Sequence, residues 1–399
     1  MKGMEKIISI NESNYISTKQ LFNKDRLKAA REYREIGVGE LAELLGVKRQ
    51  RISMYESGKL PNPGVENIRK MSEVLKFPVD FFLERTEEHE MGPVFFRSLL
   101  TSNNRYKAAQ EQRMEFIEHI YECIRSYLEF PKHNFPAYNP NLTPEEAAQK
   151  LREQWGLGNK PIKDLVYIVE DHGVVVTTFE SSSDDVDAFS KRVKLRDGEE
   201  CYFIGYSKNK TAAARIHFDI AHELGHIMLH RFYDDIEGME KDEFKEMENE
   251  AHNFASAFLL PEDSFKKDIA GFADNLSYYI QLKKKWRVSI AAMIRRAYNL
   301  KLINMETYQE LMRTMQRKGM RKIEPLDGEL FTAEPTLLKT AMKMLLDEVL
   351  TPEEFMDELA NEYQLTLDNT EVEKLLNLPP GTLAIDKKAK IHKLELKKR

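Results

Sequence analysis

Residues 211–230 read Thr-Ala-Ala-Ala-Arg-Ile-His-Phe-Asp-Ile-Ala-His-Glu-Leu-Gly-His-Ile-Met-Leu-His, a run without proline and with Gly225 as its single glycine. Ile216, Ile220, Leu224 and Ile227 mark one apolar face, so the run is predicted to be a helix against a core. His222 and His226 lie four apart on a neighbouring face. Four residues advance a helix by about 6 Å with about 40° of rotation. Two imidazoles spaced this way can reach one zinc ion, each at about 2.0–2.1 Å. Glu223 follows the first histidine and is placed to take a proton from water, which completes the zinc-hydrolase pattern H-E-x-x-H. Gly225 allows another chain segment to approach closely. The plain alternative is an amphipathic helix with two surface histidines.

A catalytic zinc usually takes a third protein ligand. Residues 246–261 offer one on a second acidic helix, where Ala251, Phe254, Ala255 and Phe258 form an apolar stripe. Glu250 borders that stripe and is the expected third ligand, because a carboxylate beside a core needs a partner such as a metal. Glu248 is the rival, turned to a different face. His230 continues the histidine row but stands about 12 Å from His222 along the axis, too far to share an ion. The longer pattern H-E-x-x-H-x-x-G-x-x-H is excluded, since Leu229 and Phe232 stand where it needs glycine and histidine.

Near the N-terminus, Leu41-Ala42 and Leu44-Leu45 run into Gly46-Val47, which suits a helix ended by glycine. A second helix beginning near Lys48 turns Ile52 and Tyr55 inward, giving a tight helix-turn-helix. Lys48, Arg49, Gln50, Arg51 and Ser53 at its start are of the types that bind phosphate and read base edges. Residues 24–85 carry 13 Lys and Arg against 10 Asp and Glu, while the whole chain has a net charge of -6. The local excess of positive charge has the right sign for DNA. A helical module for protein docking or dimerisation is the alternative.

A chain of 399 residues exceeds one typical core. With 42% hydrophobic and 32% charged residues it reads as globular. Cys123 and Cys201 are too few for a disulfide framework and fit a reducing cytoplasm. No secretion signal and no membrane span is expected, so the location expected is cytoplasmic. Residues 174–179 and 201–206 read as strands, and Asp187-Ala188-Phe189-Ser190 as a third. Helices are expected at about 211–230, 244–259 and 275–316. Thr143 caps a helix with Pro144 at its first position. Residues 86–90 read as a polar hinge ahead of a helical stretch that carries Phe116, Ile117, Ile120, Tyr121 and Ile124. The end of the chain is helical with a basic terminus.

Two resemblances follow. Arg215, Phe218, Ala221 to His226, Leu229-His230, Glu250-Ala251, Phe254-Ala255 and Leu259-Leu260-Pro261 resemble the ImmA/IrrE family of zinc metallopeptidases over about 140–320. Ile52 to Gly58 is similar to the XRE (Cro-type) helix-turn-helix family over about 24–85, except that Gly37-Val38 stands where that family commonly has Thr-Gln. The first resemblance implies a gluzincin-like site with His222, His226 and Glu250 as zinc ligands and Glu223 as general base. It also implies cleavage of helix-turn-helix repressors. Such an N/O donor set also tolerates manganese or iron.

The expected fold class is α+β, mostly α. A tail (1–23) precedes an all-α five-helix DNA-binding unit (24–85) and a helical linker (86–139). A zincin-like, mostly helical peptidase domain with a small β-sheet (140–320) and a helical C-terminal region (321–399) follow. The expected partners are a double-stranded DNA operator and a protein substrate, with a homodimer as an option. The alternative function is a transcriptional repressor or antitoxin-like regulator whose peptidase fold only senses a ligand or binds a partner.

Overall fold

The computed structural model describes residues 22–85, 91–96, 104–180, 188–209, 211–230 and 239–385. The expected basic terminus, and nearly all of the expected N-terminal tail, lie outside them. The first unit consists of α1 (Lys24–Tyr33), α2 (Val38–Leu45), α3 (Arg49–Glu56), α4 (Val65–Leu75) and a 3-10 turn at Asp80–Leu83. The expected fifth helix is therefore this four-residue turn. Its rings Phe81 and Phe82 are buried.

Strand β1 (Met91–Phe96) and helix α5 (Asn104–Arg125) follow. Then come α6 (Pro144–Gln154), α7 (Leu165–Asp171), β2 (Val174–Phe179), β3 (Ala188–Lys194) and β4 (Glu200–Ser207). Helix α6 starts as its sequence requires. The Thr143 side chain accepts from the Glu146 backbone N–H, Glu146 Oε2 accepts from the Thr143 N–H at 2.9 Å, and Pro144 fills a position that needs no donor.

The sheet has the order β1-β3-β4-β2, with β2 parallel to β4 and the other pairs antiparallel. Strand β1 was not expected. Met-Gly-Pro-Val-Phe-Phe carries a glycine and a proline, which weaken a strand reading and are tolerated on a sheet edge.

The sheet separates two apolar cores. Val174, Val176, Tyr202 and Ile204 face one, and Val175, Phe179, Cys201 and Phe203 face the other. This two-sided burial explains the unbroken run Val-Val-Val in β2. On the first side pack α6, α7, α8 (Ala213–Leu229), α9 (Lys241–Leu259), α10 (Glu262–Ile269), α11 (Leu276–Trp286), α12 (Ile290–Asn299) and α13 (Met305–Arg317). The stretch expected as one helical run over 275–316 is three helices. Arg287 and Lys301 adopt left-handed backbone at φ 53° and 58° and turn the chain between them. Neither is a glycine, so no breaker shows in the sequence.

On the second side lie α5, the helix-turn-helix unit and the C-terminal helices α14 (Leu337–Glu348), α15 (Pro352–Asn361) and α16 (Asn369–Leu375). The two ends of the described chain are thus packed together. Tyr33 Oη donates to Glu371 Oε1 at 2.5 Å, and Arg34 Nη2 lies 2.8 Å from Glu371 Oε2. The Thr366 N–H donates to Glu84 Oε1 at 2.6 Å. Buried Lys191 of β3 pairs with Glu118 of α5 at 2.7 Å, pinning the sheet to that side. No helix among the described residues is long and apolar enough to cross a membrane.

Candidate metal centre and nucleic-acid interface

Helices α8 and α9 approach very closely at one residue. A Cβ added at Gly225 would stand 3.0 Å from Ala251 Cα and 3.1 Å from its carbonyl oxygen. A methyl there would press on the α9 backbone, so glycine favours this close crossing, and the crossing carries the acidic turn of α9 onto the histidine face of α8.

There His222 Nε2 and His226 Nε2 lie 3.1 Å apart. Glu248 Oε2 is 3.3 Å from the first and Glu248 Oε1 is 3.2 Å from the second. Three donors held tetrahedrally at about 2.0–2.1 Å from one zinc ion stand roughly 3.3 Å apart. The observed spacings are close to that value, with Glu248 turning one carboxylate oxygen to each histidine, and two nitrogens with one carboxylate are a donor set suited to zinc. Burial, the largest single effect on Glu248, pushes its carboxyl up. Hydrogen bonds from His222 and His226 together outweigh it and hold the group below its ordinary range.

The carboxylate brought to the histidine pair is Glu248, and the expected third ligand, Glu250, is not part of that cluster. Helix phase is the physical reason. Glu248 stands three and seven residues before Ala251 and Ala255, on the stripe that packs against α8, whereas Glu250 is rotated by about 200° from it. Glu250 Oε2 instead lies 2.9 Å from His230 Nε2, and its carboxyl is raised by burial and by the charge of Glu246. His230 Nδ1 in turn lies 3.1 Å from His226 Nδ1.

Glu223 is fully buried and accepts a hydrogen bond of 2.7 Å from Ser190 Oγ on β3. Strand β3 thus fixes the direction of the carboxylate that follows His222 on α8. His217 accepts from the Leu165 N–H at 3.3 Å and lies 3.0 Å from Thr332 Oγ1. It ties α8 to α7.

In the N-terminal unit, Gly46 adopts left-handed backbone at φ 67° and ends α2. The Val47 N–H then donates to the Ala42 carbonyl at 2.9 Å, closing the tight turn into α3. Ile52 and Tyr55 are buried, while Lys48, Arg49, Gln50, Arg51 and Ser53 are all exposed on one end of α3. Arg51 Nε donates to Tyr55 Oη at 2.8 Å, which steadies the guanidinium at the surface. Arg31 pairs with Glu56 at 2.6 Å and locks α3 onto α1.

Residues 27–82 match the family model described as helix-turn-helix, and residues 169–298 match the one described as IrrE N-terminal-like domain, of the M78 peptidase family. The chain joins a helix-turn-helix domain to an IrrE-like domain. No curated protein matches it. The IrrE-like domain spans α8 and α9 and so contains the whole cluster of His222, His226 and Glu248. Its family is of the metallopeptidase type.

One residue at this site escaped the sequence. Ser190 comes from a strand 33 residues before Glu223, and nothing local marks it. Glu248 is the rival to Glu250, and its phase relative to Ala251 and Ala255 is the sequence signal that favours it.

Proposed function

We propose that this protein is a DNA-binding transcriptional regulator whose IrrE-like domain hydrolyses a peptide bond, with a protein of the helix-turn-helix repressor class as substrate. The observation that carries the proposal is the triangle of His222 Nε2, His226 Nε2 and Glu248, with spacings of 3.1–3.3 Å, beside buried Glu223. These three residues would hold a zinc ion. When bound, zinc supplies Lewis-acid activation of water and of the scissile carbonyl.

Glu223 is the general base in this reading. It takes a proton from the attacking water and delivers it to the leaving amine. Ser190 donates to Glu223 Oε2 and fixes its direction. An extended substrate would lie along the sheet beside Glu223 by backbone pairing. The outer edge of β3 is already paired with β1, with Phe95 opposite Ser190, so a peptide adding there must displace β1. Lys48, Arg49, Gln50, Arg51 and Ser53 are the proposed contacts to a double-stranded operator, with phosphate and base-edge roles.

The test is cleavage of candidate helix-turn-helix repressors by the zinc-loaded protein and by Glu223→Gln. The variant is expected to keep the metal and lose cleavage. A fully active Glu223→Gln protein would remove the general-base assignment.

A further inference from the structure

Between α1, α5, the outer face of the sheet and α16 lies a cavity of about 650 Å³. That is the size of small-molecule sites, roughly 300–1,000 Å³. Its walls come from distant parts of the sequence, among them Tyr33 of the helix-turn-helix domain, Gln110 of α5, Thr177 of β2 and Leu375 of α16.

Three side chains on these walls carry polar atoms that no other described residue satisfies. Gln110 is fully buried, and neither its Oε1 nor its Nε2 has a hydrogen-bond partner among the described residues. Thr177 is 4% exposed, and its Oγ1 also has none. It lies on the same side of β2 as Val175 and Phe179, the side of the cavity. Asn377 uses Nδ2 to donate to Thr178 Oγ1 at 2.8 Å and leaves Oδ1 without a partner. Burying a primary amide unpaired is unfavourable, and native interiors rarely do so. Two amides and one hydroxyl with unsatisfied atoms on the wall of one cavity call for an occupant.

The charged groups of the wall narrow its chemistry. Arg34 is already paired with Glu371 at 2.8 Å, and Arg113 with Glu35 at 3.3 Å. Over the whole wall four basic side chains (Arg34, Arg113, Lys208, Lys374) stand against four acidic ones (Glu180, Glu334, Glu371, Glu373), a balance that favours an uncharged ligand. The Gln110 amide offers an acceptor and a donor side by side, so its complement is a group with a donor and an acceptor side by side. The apolar wall includes the stacked rings of Phe179 and Phe189, 5.3 Å apart at 28°. We infer that this cavity binds a small, neutral organic molecule with a planar apolar body and a carboxamide or lactam edge, held by Gln110, Thr177 and Asn377.

The position of the site gives such a ligand leverage. Phe189 lines the cavity, and the next residue, Ser190, donates to Glu223 on the other face of β3. Tyr33 is the last residue of α1 and Arg34 its C-cap. An occupant therefore touches both the DNA-binding domain and the strand that orients Glu223, as an effector would. The inference stands apart from the peptidase reading, because it uses none of the metal-centre geometry.

The experiment uses the full chain with benzamide as carboxamide probe and hypoxanthine as lactam probe. Binding is followed by ligand-observed saturation-transfer NMR, in the wild type, Gln110→Leu and Thr177→Val. At least one probe is expected to bind the wild type, and to bind Gln110→Leu at least tenfold more weakly, because the apolar isostere leaves the probe's polar edge unpaired. Without probe, Gln110→Leu is expected to melt at or above the wild-type temperature, since the amide it removes has no protein partner. Absence of binding by both probes overturns the inference and leaves a water-filled cavity. Equal binding to the wild type and both variants overturns it as well, by placing the probes elsewhere. A Gln110→Leu protein that melts several degrees lower while neither probe binds would identify the amide as structural.

Discussion

His226 Nδ1 lies 3.1 Å from His230 Nδ1, and the far nitrogen of His230 lies 2.9 Å from Glu250 Oε2. If His226 offers Nε2 to a metal, its proton sits on Nδ1 and is donated to His230. His230 then carries its own proton on Nε2 and donates it to Glu250. Burial, and then the neighbouring His226, lower the pKa of His230 to about 3, which keeps it in the neutral form this chain requires. Glu250, expected from the sequence to be a ligand, becomes the anchor of an orienting chain. Removing such outer partners typically costs roughly 10–100-fold in metal affinity. His230→Phe and Glu250→Gln should each weaken zinc binding by about that factor, with about one zinc still bound at saturation. Competition with a chromophoric chelator measures this, and unchanged affinity in both variants would remove the orienting role.

Ser190 acts on Glu223 through one buried hydrogen bond of 2.7 Å. A hydrogen bond to the ionised form favours that form. Ser190→Ala should therefore move the acidic limb of the pH profile of cleavage to higher pH. It should also lower kcat by about tenfold with KM little changed. Lower activity with an unmoved acidic limb would mean that Ser190 serves packing alone.

Arg49 and Arg51 are exposed at the start of α3. Each phosphate contact contributes about 0.9 to the slope of log K against log salt. The double variant Arg49→Ala, Arg51→Ala should weaken duplex binding and reduce that slope by about 2. A gel-shift series across salt concentrations reads both quantities, and an unchanged slope would make this basic face irrelevant to DNA.

His217 is buried, which lowers its pKa from 6.5 to about 4, with the positive charge of Arg287 acting in the same direction and Asp164 opposing. Between those two values the unfolded chain binds a proton that the folded one does not. Stability from this group is thus full above pH 6.5 and is lost as the pH falls towards 4, a swing of about 3 kcal/mol. Denaturant melts of the wild type and His217→Gln should converge in this acid window, and parallel curves would contradict the assignment.

Much of this arrangement was legible in local sequence. The apolar period of 211–230 gave α8 and the histidine row, the run from Thr143 to Glu146 gave the start of α6, and Gly46 gave the helix-turn-helix corner. What stayed hidden was set at long range or by backbone geometry without a residue signature. The left-handed turns at Arg287 and Lys301 use residues that do not announce them. The docking of α16 on α1 rests on Glu371 meeting Tyr33 and Arg34 across more than 300 residues of sequence. Glu248 and Glu250 lie on different faces of α9, and the close approach of α8 at Gly225 selects the face that carries Glu248.

The most direct test of the central claim is the zinc content of the purified full chain, measured by elemental analysis beside His226→Ala, Glu248→Ala and Glu250→Ala. About one zinc per chain is expected in the wild type and in Glu250→Ala, with loss in His226→Ala and Glu248→Ala. Zinc retained in Glu248→Ala and lost in Glu250→Ala would contradict the assigned triangle, and a wild type without metal after zinc loading would contradict the centre itself.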